Sequence, residues 1–229
     1  MTENLDSLTL EEMILRLREV SDISWGRYAF SHDFLREKVP IAKQDEMTQK
    51  AVACGEEWAK KMMESTGASN PEAMAEAFAL VISENNLDMK GFPRPLFAQF
   101  IPDNKINLML QPIDLYAELY LYSENNIHLP TPEKVRSLLL AHEIYHHVEE
   151  LHEKEIYSRT EKIRLWEVLF VKWDSTVRAV GEIAAMSFSK TLNNIDYSPF
   201  FLDMLLLFSY NEKSAKRIFK HIMDIHECR

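Results

Sequence analysis

The chain has 229 residues and a formal net charge of −10, with 46% hydrophobic and 27% charged residues. This balance is typical of a globular protein, and the length allows a sizeable core in one domain, or in one domain with a helical extension. An acidic chain repels phosphate backbones, and this one has no basic stripe interleaved with aromatic residues, so we expect no nucleic-acid partner.

The cysteine content and the apolar runs bear on where the protein works. The two cysteines, Cys54 and Cys228, are far apart in the sequence. They imply no disulfide framework and favour a reducing compartment. The first residues lack the pattern of a secretion signal, and no apolar run approaches the roughly 18 residues of a membrane span. We therefore expect a cytoplasmic protein with no membrane partner.

The first ninety residues are predicted to form a helical region. Thr9–Val20 is amphipathic and begins with a capping box, formed by its first residue and the acid three positions later. Ala42–Ser65 predicts a second helix. Asn70–Glu72 is typical of a helix start, and the third helix is expected to continue to about Ser83.

The pattern changes to strand after residue 90. Pro93 and Pro95 stop any helix, and the apolar runs Leu96–Ile101 and Lys105–Leu110 flank Pro102–Asn104. Asp and Asn accept turn conformations, so this segment predicts a β-hairpin. Helix is expected again near residue 112, from residue 132, in the apolar run at 200–208 and in a C-terminal amphipathic helix.

The helix predicted to start at Thr131 carries the strongest chemical signal. Residues 142–146 read His-Glu-Ile-Tyr-His, which is the H-E-x-x-H motif of zinc hydrolases. His142 and His146 are four residues apart and share one helical face, so both can bind one metal ion. Glu143 follows the first ligand and would lie beside the metal as a general base. The alternative is an exposed helix with a polar stripe.

A catalytic zinc site usually has three protein ligands, so a third is expected. Glu182 lies 36 residues after His146 on a predicted helix, which Ser175 or Thr176 can cap. Its small neighbours Gly181 and Ala185 would let this helix approach the metal helix closely. The sequence thus predicts the ligand set His142, His146 and Glu182, with a solvated glutamate at 182 as the alternative.

Several other polar residues remain open as parts of the site. His152 could be a ligand only if the metal helix ended early. Glu150 and Asp174 are candidate acceptors for a ligand N–H. A second donor usually steadies the oxyanion in metal-assisted hydrolysis, and four residues are candidates for it: His147, Tyr157, Arg159 and Arg178.

Residues 96–192 resemble the ImmA/IrrE-type metallopeptidases. These proteins have a strand pair, an H-E-x-G-H helix and a downstream E-x-x-A-x-x-F-A-x-x-L helix, which compare with Leu139–His146 and Glu182–Leu192 here. The resemblance implies a zincin fold, in which His142, His146 and Glu182 bind zinc and Glu143 is the base. Members are bacterial intracellular proteins, and some act on helix-turn-helix repressors. Tyr145 stands where the family usually has Gly, and the gap before Glu182 is longer than usual.

Together these patterns predict a mainly helical α+β protein. Residues 1–90 would form an N-terminal helical region, and residues 91–229 a zincin-like metal-binding core with C-terminal helices, either separately or as one compact domain. The expected function is that of a gluzincin-like zinc metallopeptidase, a hydrolase acting on a peptide or protein substrate. Two alternatives are a metal-binding regulatory or interaction protein without catalysis, and a helical structural protein without metal.

Overall fold

The computed structural model describes residues 8–87, 96–123, 126–168 and 171–227. The predicted proline break at 93–95 and Cys228 lie outside these residues. The described chain is mainly helical with two small sheets, as predicted. Its helices are α1 (Leu10–Arg18), α2 (Asp22–Ser31), α3 (Ile41–Thr66), α4 (Pro71–Ala77), α5 (Leu110–Tyr122), α6 (Pro132–Leu151), α7 (Tyr157–Thr160), α8 (Arg178–Leu192), α9 (Leu202–Tyr210) and α10 (Glu212–Glu227). Its strands are β1 (Val81–Asn85), β2 (Ala98–Ile101), β3 (Lys105–Met109), β4 (Ile163–Val168) and β5 (Val171–Ser175).

The N-terminal helices form largely where their capping signals predict. Thr9 and Glu12 make the expected reciprocal capping box at the start of α1. Helix α3 matches the predicted second helix, whereas the short helix α2 was not predicted. The prediction of the third helix was wrong at its C-terminal end, because α4 stops at Ala77 and the chain turns at Ala79, whose φ is 52°. Residues expected to continue the helix to Ser83 instead form β1.

The larger sheet has the strand order β1-β3-β2. Strands β2 and β3 are antiparallel and form the predicted hairpin, with Asp103 and Asn104 at positive φ in its turn. Strand β1 is parallel to β3, in register from Val81 opposite Lys105 to Asn85 opposite Met109. This pairing replaces the helical hydrogen bonds that residues 81–83 would have made, and it leaves β2 at an edge of the sheet.

Helices α3, α6 and α8 form the centre of the molecule. Where α3 crosses α8, a Cβ at Gly55 would stand 2.1 Å from the carbonyl oxygen of Ala184, so the two backbones meet closely because Gly55 has no side chain. The Ser189 hydroxyl donates to the Leu138 carbonyl at 2.8 Å and joins α8 to α6. The opposite side of α6 packs on β2 and β3. These contacts link residues on both sides of the boundary predicted near residue 90, which itself lies among residues not described.

The segment between α6 and α8 contains helix α7 and the β4–β5 hairpin. The sequence patterns had placed no elements here. Trp166 and Trp173 stack across the two strands with ring centroids 6.1 Å apart, and both are partly exposed. In the described part of the chain, no helix combines the length and apolar character needed to cross a bilayer.

Candidate metal centre

Helix α6 holds the H-E-x-x-H motif in unbroken α-helical geometry. Its start is fixed by the Thr131 hydroxyl, which accepts the Lys134 N–H at 3.2 Å, and by a proline in the first turn. The helix continues to Leu151, so His142 and His146 lie one turn apart on the same face. Their Nε2 atoms are 3.2 Å from each other.

Glu182 joins the two histidines from helix α8. Its Oε2 lies 3.4 Å from Nε2 of His142, and one donor atom from each of the three residues lies within 4.8 Å of the others. Zinc bonds of about 2.0–2.1 Å at a tetrahedral angle place two donor atoms about 3.3 Å apart. Two of the three donor pairs have this spacing, so the geometry and the donor types fit a divalent metal ion, such as zinc, held by His142, His146 and Glu182.

The charges in this cluster suit a cation. Burial alone would lower the pKa of His142, but its contact with Glu182 and the charge of Glu143 raise it above the ordinary value. Burial would likewise raise the pKa of Glu182, but the contacts with His142 and the charges of His146 and Arg178 lower it strongly. Glu182 is thus ionised at neutral pH and offers a negative oxygen donor.

Asp33 fixes the start of the helix that carries Glu182. Its Oδ2 accepts the Ala179 N–H at 2.8 Å, and its Oδ1 accepts the Leu35 N–H at 2.7 Å. The prediction that Ser175 or Thr176 caps this helix was wrong, because α8 begins at Arg178 and its cap comes from a distant segment. Asp33, which belongs to the predicted N-terminal helical region, therefore helps to position the candidate metal ligand Glu182.

Glu149 contacts the second histidine from outside the cluster. Its Oε2 lies 3.4 Å from Nδ1 of His146 and forms an ion pair with the Arg159 guanidinium, with nitrogen and oxygen 2.8 Å apart. Burial would raise the pKa of Glu149, but contacts with His146 and Ser158 lower it. The sequence patterns missed this residue. Its i, i+3 spacing from His146 was the available signal.

The two acceptors expected from the sequence lie elsewhere. Glu150 is exposed on the rim of the cleft beside the cluster. Asp174 forms an ion pair with Arg164 across the β4–β5 hairpin. Among the described residues, neither carboxylate contacts His142 or His146, so the structure does not support these two candidates as acceptors for a ligand N–H.

Glu143 lies beside the cluster and against the edge strand. Its side chain is 7% exposed, and its Oε2 accepts the Phe100 N–H at 2.5 Å. The Met109 N–H donates to the Phe97 carbonyl, so residues 97, 99 and 101 face β3. The backbone groups of Ala98 and Phe100 therefore point to the free edge of the sheet.

A cleft of about 790 Å³ opens over these residues. Its walls come from α2, β2, α6, α8 and the segment before α9. Apolar side chains line one part of it, and polar or charged side chains line the rest. The lining includes Phe97, Leu138, Leu139, Met186, Phe200, His142, Glu143, His146, Glu150, Arg159, Arg178 and Glu182.

The remaining predicted site residues divide between the cleft and the core. Arg159 and Arg178 line the cleft, whereas His147 and Tyr157 do not. His147 packs between Phe78 and Phe100, and burial lowers its pKa. His152 follows the last residue of α6 and packs on Trp58, with ring centroids 4.3 Å apart, outside the ligand cluster.

Comparisons with protein-family models, with curated proteins and with solved structures give no match. The resemblance of residues 96–192 to a metallopeptidase family therefore remains a prediction from their motifs.

Proposed function

We propose that this protein is a zinc-dependent hydrolase that cleaves a peptide bond. The observation that carries the proposal is the meeting of His142, His146 and Glu182 at zinc-ligand spacing beside Glu143. A structural zinc site is usually closed by four protein ligands, whereas a catalytic one leaves a position open. Among the described residues the cluster has three donors, and it faces a cleft, which favours the catalytic kind.

A zinc ion held by these residues would act as a Lewis acid. It would polarise a carbonyl oxygen and lower the pKa of bound water to about 7. Glu143 is the group that would accept the proton from the attacking water and pass it to the leaving amine. The hydrogen bond from Phe100 N–H holds its carboxylate at the cleft wall. This restraint keeps the base in place.

The edge strand favours an extended peptide as the substrate. The outward N–H and C=O groups of Ala98 and the outward C=O of Phe100 can pair with a peptide laid along β2, as in other proteins that add a strand to a sheet edge, whereas the Phe100 N–H donates to Glu143. Such pairing would lay the peptide across the adjacent cleft, where Glu143 lies. Apolar cleft residues such as Leu139 and Met186 would then surround one of its side chains.

The chief rival is a metal-binding module without catalysis. One sequence feature that favoured it was Tyr145, a bulky residue in the motif. Tyr145 is buried, its hydroxyl contacts Ser158 at 2.8 Å, and it does not line the cleft. It therefore leaves the space over the cluster open. We retain the cytoplasm as the proposed location because the sequence favours a reducing compartment.

Substitution Glu143→Gln tests the proposal. Protein loaded with zinc is incubated with a peptide mixture, and the products are identified by mass spectrometry. We expect wild-type protein to cut peptides and Glu143→Gln to bind zinc equally well while losing turnover, because the amide cannot accept the proton. Glu118→Gln, an exposed residue on α5, is the matched control and should cut at the wild-type rate. Zinc binding without cleavage by the wild type would support the module, and turnover surviving in Glu143→Gln would contradict the mechanism.

A further inference from the structure

The two candidate ligand histidines differ in their outer contacts. Nδ1 of His146 faces the Glu149 carboxylate at 3.4 Å. Nδ1 of His142 is buried and has no hydrogen-bond partner among the residues that the structure describes. An imidazole that binds metal through Nε2 carries its proton on Nδ1, and an acceptor for that proton fixes both the tautomer and the ring orientation. Only His146 has such an acceptor in the described structure.

Glu149 is itself held from three directions. The Arg159 guanidinium forms an ion pair with the same oxygen, Oε2, that faces His146. The other oxygen, Oε1, lies where a Cβ on Gly181 would be only 3.1 Å away, so the carboxylate packs directly on the backbone of α8. The residue is 4% exposed. A buried carboxylate with fixed neighbours is a stiff support for a ring.

These contacts place Glu149 between the two helices that supply the ligands. It extends from α6, receives Arg159 from α7, and rests on Gly181, the neighbour of Glu182 in α8. A side chain at 181 would crowd Oε1 of Glu149, which would have to shift slightly to make room. The lack of a side chain at Gly181 therefore also bears on His146, through Glu149.

We propose that Glu149 is a positioning residue that accepts the Nδ1–H of His146 and turns its Nε2 toward the metal. This inference rests on the metal site of the proposed function. It adds a carboxylate–histidine pair that the H-E-x-x-H motif does not contain. Removing such an outer partner typically weakens metal binding by about 10–100-fold.

The test measures zinc affinity by competition with a chromogenic chelator, together with the visible spectrum of the cobalt-substituted protein. We expect Glu149→Ala to weaken zinc binding by about 10–100-fold and to change the cobalt spectrum. Glu149→Gln retains an oxygen that can accept from His146 but loses the charge that pairs with Arg159, so its affinity should lie between those of the alanine variant and the wild type. Glu150→Ala, the next residue on the same helix, should bind zinc like the wild type.

A purely structural role would lower the unfolding temperature of Glu149→Ala while leaving its zinc affinity and cobalt spectrum unchanged, and that result would overturn the proposal. If the alanine variant does not fold, Glu149→Gln decides the matter, because it keeps the size of the side chain while removing its negative charge. Weaker zinc binding there supports the proposal, and wild-type affinity overturns it. Wild-type protein that binds zinc without cutting peptides would overturn the proposed function alone, whereas wild-type protein that binds no zinc would overturn both.

Discussion

Helix α6 presents histidines to two different surroundings. His142 and His146 face a cleft in which the carboxylates of Glu182 and Glu149 lie within 3.4 Å of a ring nitrogen. His147, the next residue, lies between the rings of Phe78 and Phe100. Its Nδ1 has no hydrogen-bond partner in the described part of the chain. Three histidines within six residues thus lie in an acidic cluster or in an aromatic core.

The comparison shows that neighbours from other segments determine what a histidine can do. Carboxylates attract a cation and orient imidazoles toward it, whereas phenyl rings only bury the ring and lower its pKa. The acidic surroundings come from α8 and from the last turns of α6. The aromatic surroundings come from Phe78, the residue that follows α4, and from β2. Three sets of substitutions test whether the two surroundings affect zinc binding and stability independently. They follow from the largest expected change in free energy to the smallest.

The largest difference is expected between His146→Ala and His147→Phe. With free zinc at 100 times the wild-type Kd, zinc should raise the free energy of unfolding of wild-type protein by about 2.7 kcal/mol. His147→Phe should show the same gain, since its ring contacts no ligand. His146→Ala loses one of three donors and should show less than about 0.5 kcal/mol. Urea denaturation with and without zinc measures each gain.

An equal zinc-dependent gain in the free energy of unfolding in His146→Ala and His147→Phe would contradict this prediction. His152→Ala provides a further control, because this residue lies beyond the end of α6 and outside the cluster. It should retain the full gain.

A smaller effect is expected from the cap that supports the acidic surroundings. Asp33→Ala leaves the Ala179 N–H without its acceptor and should lower the free energy of unfolding by about 1 kcal/mol. Asp33→Asn keeps an acceptor oxygen and should cost only a few tenths of a kcal/mol. Denaturant titration of both variants checks the ranking. Equal stability of Asp33→Ala and the wild type would show that α8 does not need this contact.

The third change probes the packed side of the helix. Tyr145→Phe removes a buried hydroxyl that contacts Ser158 and should lower the free energy of unfolding by about 1 kcal/mol. Its zinc affinity should equal that of the wild type, because Tyr145 points away from the cleft. Calorimetry gives both values. Weaker zinc binding in this variant would mean that the packed side controls the metal site.

The sequence predicted those features whose causes are local. Thr131 and the following proline determine where α6 starts, and the four-residue spacing places His142 and His146 on one face. The approach of Glu182 to the two histidines was also predicted, because Gly181 and Ala185 indicate a helix that can pack closely against another. The β2–β3 hairpin followed from its turn residues.

The features that the sequence missed depend on residues far apart in the chain. Strand β1 forms because residues 81–85 meet β3, and their helix-like context gives no sign of this partner. Asp33 reaches α8 across 146 positions, so no nearby capping signal reveals it. Glu149 was overlooked in favour of Glu150 because its role depends on Arg159 and Gly181 as well as on His146.

The position of a bound ion is the most direct check that His142, His146 and Glu182 form a zinc site. Crystals grown with zinc would be measured on both sides of the zinc absorption edge. We expect an anomalous peak about 2.0–2.2 Å from Nε2 of His142, Nε2 of His146 and a carboxylate oxygen of Glu182. A fully zinc-loaded protein with no peak between these three atoms, or with its peak at other residues, would contradict it.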